Sequence, residues 1–105
     1  MAVRETPRSY EMLYILGSEI GEENIPVAIE KVNTLITRLG GESIENNQAA
    51  PWGKRRMTYP IDKQQDGFFI MATFKLSPTK TLELETDLRI SEEVLRHMLI
   101  SLEKD

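Results

Sequence analysis

The sequence predicts an α+β domain of four strands and two helices, in the order strand-helix-strand-strand-helix-strand. Three observations predict it. Ile25, Ile29, Val32, Ile36 and Leu39 recur at intervals of 4, 3, 4 and 3, the stripe of an amphipathic helix. Phe68, Ile70, Ala72, Phe74 and Leu76 recur at every second position, the period at which a strand returns side chains to one face. The length, 105 residues, holds one domain with a real core and is too short for two ordinary ones.

Taken in order, residues 1–7 form a polar leader. Residues 10–16, Tyr-Glu-Met-Leu-Tyr-Ile-Leu, read as the first strand because aromatic and aliphatic residues dominate. Tyr10, Met12, Tyr14 and Leu16 share one face, and Glu11, Leu13 and Ile15 the other. A strand so apolar on both faces belongs inside a sheet. Gly17 and Gly21 bracket the turn that follows. The first helix is expected over residues 22–39. Glu22 and Glu23 suit its positive end, Pro26 is tolerated near its start, Arg38 suits its negative end, and Gly40-Gly41 stops it.

Residues 42–62 read as one long strand with a bulge or break near Pro51-Trp52-Gly53. Pro60 places that strand at an edge, or turns its own nitrogen away from the ladder. Residues 63–67, Lys-Gln-Gln-Asp-Gly, read as a hairpin loop, and 68–76 as the third strand. Ser77-Pro78 reads as an N-cap followed by a first-turn proline. The helix it opens is expected to run to about Leu88, with Leu84 and Leu88 on its buried face. Residues 91–93 form a loop, 94–102 the last strand, and 103–105 a solvated end. Two interleaved split β-α-β units then give an antiparallel sheet in spatial order 4-1-3-2 with both helices on one face. The other face is left uncovered, and Leu13, Ile15, Phe69 and Met71 form an apolar patch there.

Composition narrows the function. Seventeen acidic against 13 basic residues give a net charge of −4, which argues against coating nucleic acid by bulk charge. There is no Cys and one His, so disulfides, thiolate chemistry and Cys or multi-His metal sites are excluded. No apolar run approaches the roughly 20 residues of a membrane span. The N-terminal stretch lacks the apolar core of a secretory signal, so a cytoplasmic location is expected. Catalytic chemistry finds little support. His97 is the one candidate general base, but it lies in a strand between Arg96 and Met98 with no nucleophile motif beside it. Glu92 and Glu93 are adjacent in a loop and read as a solvated turn. Residues 17–21 lack the glycine spacing and Lys-Ser/Thr ending of a phosphate loop. No catalytic residue, cofactor or small-molecule substrate is expected.

Binding finds more. Pro51-Trp52-Gly53-Lys54-Arg55-Arg56 sets three cations beside the only Trp. Cations neutralise phosphates, and an aromatic ring stacks on a base or a partner side chain. The competing reading is a charged edge strand that blocks aggregation, with Trp52 as a core anchor. The sheet lacks the aromatic run of the common RNA-recognition domain, since Gly67-Phe68-Phe69-Ile70-Met71 does not match it.

Four motifs in order carry a resemblance: Arg8-Ser9-Tyr10-Glu11, then the run from Trp52-Gly53-Lys54-Arg55-Arg56 through Met57-Thr58-Tyr59-Pro60-Ile61, then Gly67-Phe68-Phe69, then Leu88-Arg89-Ile90. With them the chain closely resembles the bacterial ribosomal small-subunit protein six family, from about Arg8 to Leu102. The Trp-to-Ile block is the most specific of the four. The resemblance implies a ferredoxin-like fold and a ribosome-bound structural role. It implies binding to the central domain of small-subunit ribosomal RNA together with ribosomal small-subunit protein eighteen. Carried over, the RNA contacts fall on Arg8, Arg89, Arg96 and His97, of which Arg8 and Arg89 lie in matched motifs. Pro51, Trp52, Gly53, Arg56 and Met57 are assigned to the protein partner, and Lys54, Arg55 and Arg56 also to RNA. Many members carry a C-terminal tail that extends the partner contact; this sequence ends at Asp105.

Physics fits that assignment. Each phosphate contact needs a cation, so a chain of net charge −4 is poorly equipped to hold RNA alone. A basic partner is drawn to its acidic surface and brings cations of its own. The expected topology also gathers Arg8, Arg89 and Arg96 toward one side of the sheet. Two rivals stand beside this reading. A small ferredoxin-like hydrolase such as an acylphosphatase needs an Arg in a glycine-rich loop after the first strand, where this chain has Glu19. A regulatory domain would dimerise through its open sheet face and bind a small ligand.

Overall fold

A computed structural model describes residues 7–47, 53–61 and 64–102, with the side chains of 55–61, 64 and 65 left out of the description. The elements are β1 (Arg8–Gly17), α1 (Ile25–Arg38), β2 (Glu42–Asn47), β3 (Gly53–Ile61), β4 (Gln64–Leu76), α2 (Thr81–Ile90) and β5 (Val94–Ser101). Short 3-10 turns at Ser18–Ile20, Glu22–Asn24 and Pro78–Lys80 lead into the helices.

Every strand pairing is antiparallel. β1 lies between β4 and β5, while β2 and β3 both pair with β4. Glu45 and Asn47 face Thr73 and Met71, and Gly53 faces Phe69, so β2 and β3 follow one another along the same edge. Counted as one interrupted strand they give the expected order 4-1-3-2. Asn47 is opposite Met71 and Gly53 opposite Phe69, so the register shifts between the two segments; the expected bulge or break near Pro51 and Trp52 lies outside the described residues. Among the described residues β3 pairs only with β4, which agrees with Pro60 on an edge.

The core forms between sheet and helices. Tyr10, Met12, Tyr14 and Leu16 of β1 and Phe68, Ile70, Ala72, Phe74 and Leu76 of β4 are buried beneath Ile25, Ile29, Val32 and Ile36 of α1 and Leu84 and Leu88 of α2. Leu39, the last residue of the expected stripe, is half-buried against the same cluster. Burying one such aliphatic side chain contributes about 1.5–3 kcal/mol, and this alternation is what fixes the register. No described element covers the opposite face.

The end of α1 is tightly specified. Gly40 takes φ of 91°, its N–H donates to the Thr37 carbonyl at 2.9 Å, and the Gly41 N–H donates to the Ile36 carbonyl at 2.8 Å. These two bonds satisfy carbonyls that the helix cannot.

Four expectations need correction. α1 begins at Ile25, not at 22, because a proline in the fifth position would clash and leave an i→i−4 bond unmade. A 3-10 turn fills residues 22–24 instead. α2 likewise begins at Thr81, after the 3-10 turn at Pro78–Lys80, and ends at Ile90. Ser77 is the N-cap and Pro78 opens the turn, as expected, though of a 3-10 turn; the cap is made by the Ser77 carbonyl, which accepts the Lys80 N–H at 3.0 Å, and not by its side chain. Residues 64–67 are not loop. They belong to β4, with Arg55 opposite Gly67, Arg56 opposite Asp66 and Ile61 opposite Gln64. Polar composition suggested a turn, but pairing with β3 satisfies the backbone of these residues as well as a turn would.

The last correction concerns the cations. Arg96 stands opposite Ile15, whereas Arg8 lies seven residues back along β1, roughly 24 Å away at about 3.4 Å per residue. Arg89, in the last turn of α2, is near the Arg96 end. The fold therefore brings two of the three cations to one end, and Arg8 to the other.

Candidate functional site

The uncovered face is built by strand parity. Directly opposite residues of antiparallel neighbours project to the same side. One row runs Phe69, Ile15 and Arg96; the next runs Met71, Leu13 and Met98; the third runs Thr73, Glu11 and Ile100. β2 extends the second row with Asn47 and the third with Glu45. Leu13, Ile15, Phe69 and Met71 are half-buried, as a bare sheet face leaves them, and Met98 and Ile100 are 56% and 47% exposed. The apolar centre is thus bounded by Glu11 and Glu45 at one end and Arg96 at the other.

Two shallow concavities mark this face. Glu11, Glu45, Asn47, Met71 and Thr73 help to line one of about 570 Å³, and Leu13, Ile15, Arg96 and Met98 help to line one of about 280 Å³. A larger cleft of about 690 Å³ lies on the helical side, beside Val27, Val32, Leu35 and Val94. Lys31 and Glu93 bridge its rim at 3.1 Å.

The expected binding residues do not converge. Lys54 is exposed on β3 with Nζ 5.9 Å from the centre of the Phe68 ring, on the helical side of the sheet. Arg55 and Arg56 sit in the β3–β4 ladder, while their side chains, like that of Met57, are outside the description. Gly53 opens β3 with φ of 98°. Arg89 and Arg96 are exposed, and Arg8 is half-buried.

His97 behaves differently from its neighbour. It pairs with Tyr14 and so turns toward the helices, whereas Arg96 turns to the open face. Its side chain is 12% exposed, and Nε2 lies 3.2 Å from Glu85 Oε1 of α2. The ring links β5 to α2, and no nucleophile is described beside it. Among the described residues, no group of three or more His, Asp or Glu is placed to hold a metal ion, and no helix is long and apolar enough to cross a membrane.

Sequence reading placed Glu11 on this face by its parity with Leu13 and Ile15, and missed Glu45, Met98 and Ile100. The signal was available in part: once β5 is set against β1, the even positions 96, 98 and 100 join the odd positions 11, 13 and 15. The register that joins them is a property of the folded sheet.

The elements define a ferredoxin-like domain, an antiparallel sheet with two helices on one face and no described element on the other. Comparison with known proteins makes this specific. The family model described as Ribosomal protein S6 matches residues 9–101. Small ribosomal subunit protein bS6 of Clostridium acetobutylicum is 41% identical over 95 residues, covering 90% of this chain and 97% of that one. Its counterpart in Caldanaerobacter subterraneus is 39% identical over 93 residues, covering 89% and 95%. The crystal structure of 30S ribosomal protein S6 from Thermotoga maritima superposes with a TM-score of 0.80 at 26% identity, covering 91% of this chain and 88% of that one. The chain belongs to the ribosomal protein S6 family, whose members are structural, non-enzymatic proteins of the small ribosomal subunit, cytoplasmic and ribosome-bound.

Proposed function

We propose that this chain binds the central domain of small-subunit ribosomal RNA jointly with ribosomal small-subunit protein eighteen, and so holds a local RNA fold during subunit assembly. The observation that carries the reading is the place of the 53–61 segment. This stretch holds most of the block most specific to the family, and it forms β3, an edge strand with no outer neighbour among the described residues. Edge strands with free backbone groups are natural contact lines for another chain. Pro51, Trp52, Gly53, Arg56 and Met57 serve the protein partner in this reading.

RNA contacts are assigned to Arg89 and Arg96 at one end, to Lys54, Arg55 and Arg56 on the edge, and to Arg8 at the far end of β1. His97, engaged with Glu85, positions α2 rather than touching RNA. The net charge of −4 supports joint rather than solitary binding, since a basic partner supplies the cations this chain lacks. Filter binding with central-domain RNA tests this directly. Affinity is expected to rise when the partner is added, and equal affinity with and without it overturns the reading.

Trp52→Ala separates an interface role from a core role. It is expected to weaken partner binding by about 2 kcal/mol or more, in the manner of an interface aromatic, while thermal unfolding changes less. A collapsed unfolding midpoint with unchanged affinity in the folded fraction would make Trp52 a core anchor.

A further inference from the structure

We propose that His97 is a positioning residue for Arg89: by holding the carboxylate of Glu85, it keeps the neighbouring guanidinium unpaired and open to RNA phosphate. The proposal rests on the reading above that Arg89 meets RNA. It gives His97 a part in that contact without touching the RNA.

Arg89 is a cation on an acidic helix. α2 carries Glu83, Glu85 and Asp87 before it reaches Arg89, its one basic residue. Position 85 lies one turn before 89, so the two side chains share a face with their Cβ atoms about 6 Å apart. A glutamate four residues ahead of a cation is also the better order for a helical ion pair. Asp87, two residues ahead, points to another side. Local chemistry therefore makes Glu85 the carboxylate of α2 that would neutralise Arg89.

The fold engages that carboxylate elsewhere. His97 Nε2 lies 3.2 Å from Glu85 Oε1, with the histidine side chain 12% and the glutamate 31% exposed. An ionised carboxylate only accepts hydrogen bonds, so Nε2–H is the donor. β5 aims the ring: it sets His97 opposite Tyr14 on the helical side of the sheet, while Arg96 turns to the other face. Two further carboxylates of α2 and its exit are held by other cations, Glu83 by Lys80 at 3.7 Å and Glu93 by Lys31 at 3.1 Å. Arg89 is exposed and makes no ion pair among the described residues. Phosphate contact draws on a cation that is not already neutralised. An arginine paired with Glu85 would have to break that pair, or bring a carboxylate up to the phosphate.

The test begins on the free chain, with hydrogen exchange at the Arg89 Nε–H read by NMR, which slows when the guanidinium is paired. Exchange is expected to be equally fast in the parent and in Glu85→Gln, about twofold slower in His97→Leu, and fast again when Glu85→Gln is added to His97→Leu. Slower exchange in the parent than in Glu85→Gln would mean that Arg89 is already paired with Glu85, and overturns the proposal even if His97→Leu does not fold. Filter binding to central-domain RNA with small-subunit protein eighteen present is the second arm. His97→Leu is expected to lower affinity about twofold to threefold, and adding Glu85→Gln is expected to restore it. His97→Gln, whose amide still offers an N–H to Glu85, is expected to keep the parent affinity. A loss that Glu85→Gln does not restore makes His97 an RNA contact or a purely structural residue and overturns the proposal. Parent-like binding by His97→Leu, with Arg89→Ala weakened, overturns the proposal and leaves the RNA reading standing. Parent-like binding by Arg89→Ala removes Arg89 from the RNA surface and overturns both.

Discussion

Tyr14 shows how one atom can work against its own side chain. The ring is fully buried at the centre of β1, yet its hydroxyl finds no hydrogen-bond partner among the described residues. Leaving a buried hydroxyl unpaired costs about 1–3 kcal/mol, which offsets part of what the ring contributes. Burial also drives the phenol's pKa well above its ordinary value, because the charged form would lie in an apolar core. The sign of the pH effect follows. The neutral form is favoured in the folded state, so this contribution is complete below the unfolded pKa of about 10 and falls away as pH rises beyond it. Tyr14→Phe keeps the ring and removes the hydroxyl. It is expected to stabilise the fold by about 1 kcal/mol at neutral pH, raising the unfolding midpoint by about 4–8 °C. The gain should widen above pH 10, read by denaturant unfolding at pH 7 and at pH 10.5. A less stable variant would mean that the hydroxyl has a partner. The sequence marked Tyr14 as core-facing through its parity with Met12 and Leu16. It could not show the orphaned oxygen, which depends on what the fold stacks above it.

Single elements were legible where periodicity and local chemistry agree. α1 carries both its apolar stripe and its stop signal in contiguous residues, and its C-terminus formed where Gly40 and Gly41 predict. Gly41 is needed for space. A Cβ there would collide with Cγ2 of Ile36 and come within 2.8 Å of the Ile36 carbonyl oxygen, which is backbone and already accepts the Gly41 N–H. Gly41→Ala is therefore expected to destabilise by about 1–3 kcal/mol, seen as a lower denaturation midpoint with an unchanged slope. An unshifted midpoint would mean that the turn yields without cost. Element starts were less legible than ends. Pro26 and Pro78 both signal a helix N-terminus, but neither says whether the residues around it begin in an α or a 3-10 turn. The β3–β4 arm was missed for a different reason. Gln64, Gln65, Asp66 and Gly67 have loop composition, and only the ladder opposite Arg55 and Arg56 makes them strand.

At the scale of the molecule, topology was legible and the gathering of charge was not. Strand order follows from connection rules and from which faces are apolar. The position of a surface cation follows from register, and a shift of one residue moves a side chain to the other face. Arg96 and His97 illustrate this: adjacent in sequence, they lie on opposite faces of β5, one open to solvent and one against α2. Arg89 and Arg96 do share an end of the molecule, and this sharpens the RNA prediction. Both are exposed cations on an acidic chain, held by different elements, with the α2–β5 connection between them. Arg89→Ala and Arg96→Ala are each expected to lower RNA affinity measured with the partner present. Each should flatten the slope of log affinity against log salt by about one unit, the loss of one phosphate contact. Arg8→Ala, roughly 24 Å away along the sheet by strand rise, serves as an independent site, and its effect should add to either of theirs. Partner binding without RNA should change little in the Arg89 variant, whose side chain is in the helical layer. If neither Arg89→Ala nor Arg96→Ala alters affinity or salt slope, RNA does not meet this end of the molecule, and the β3 cations Lys54, Arg55 and Arg56 become the surface to mutate next.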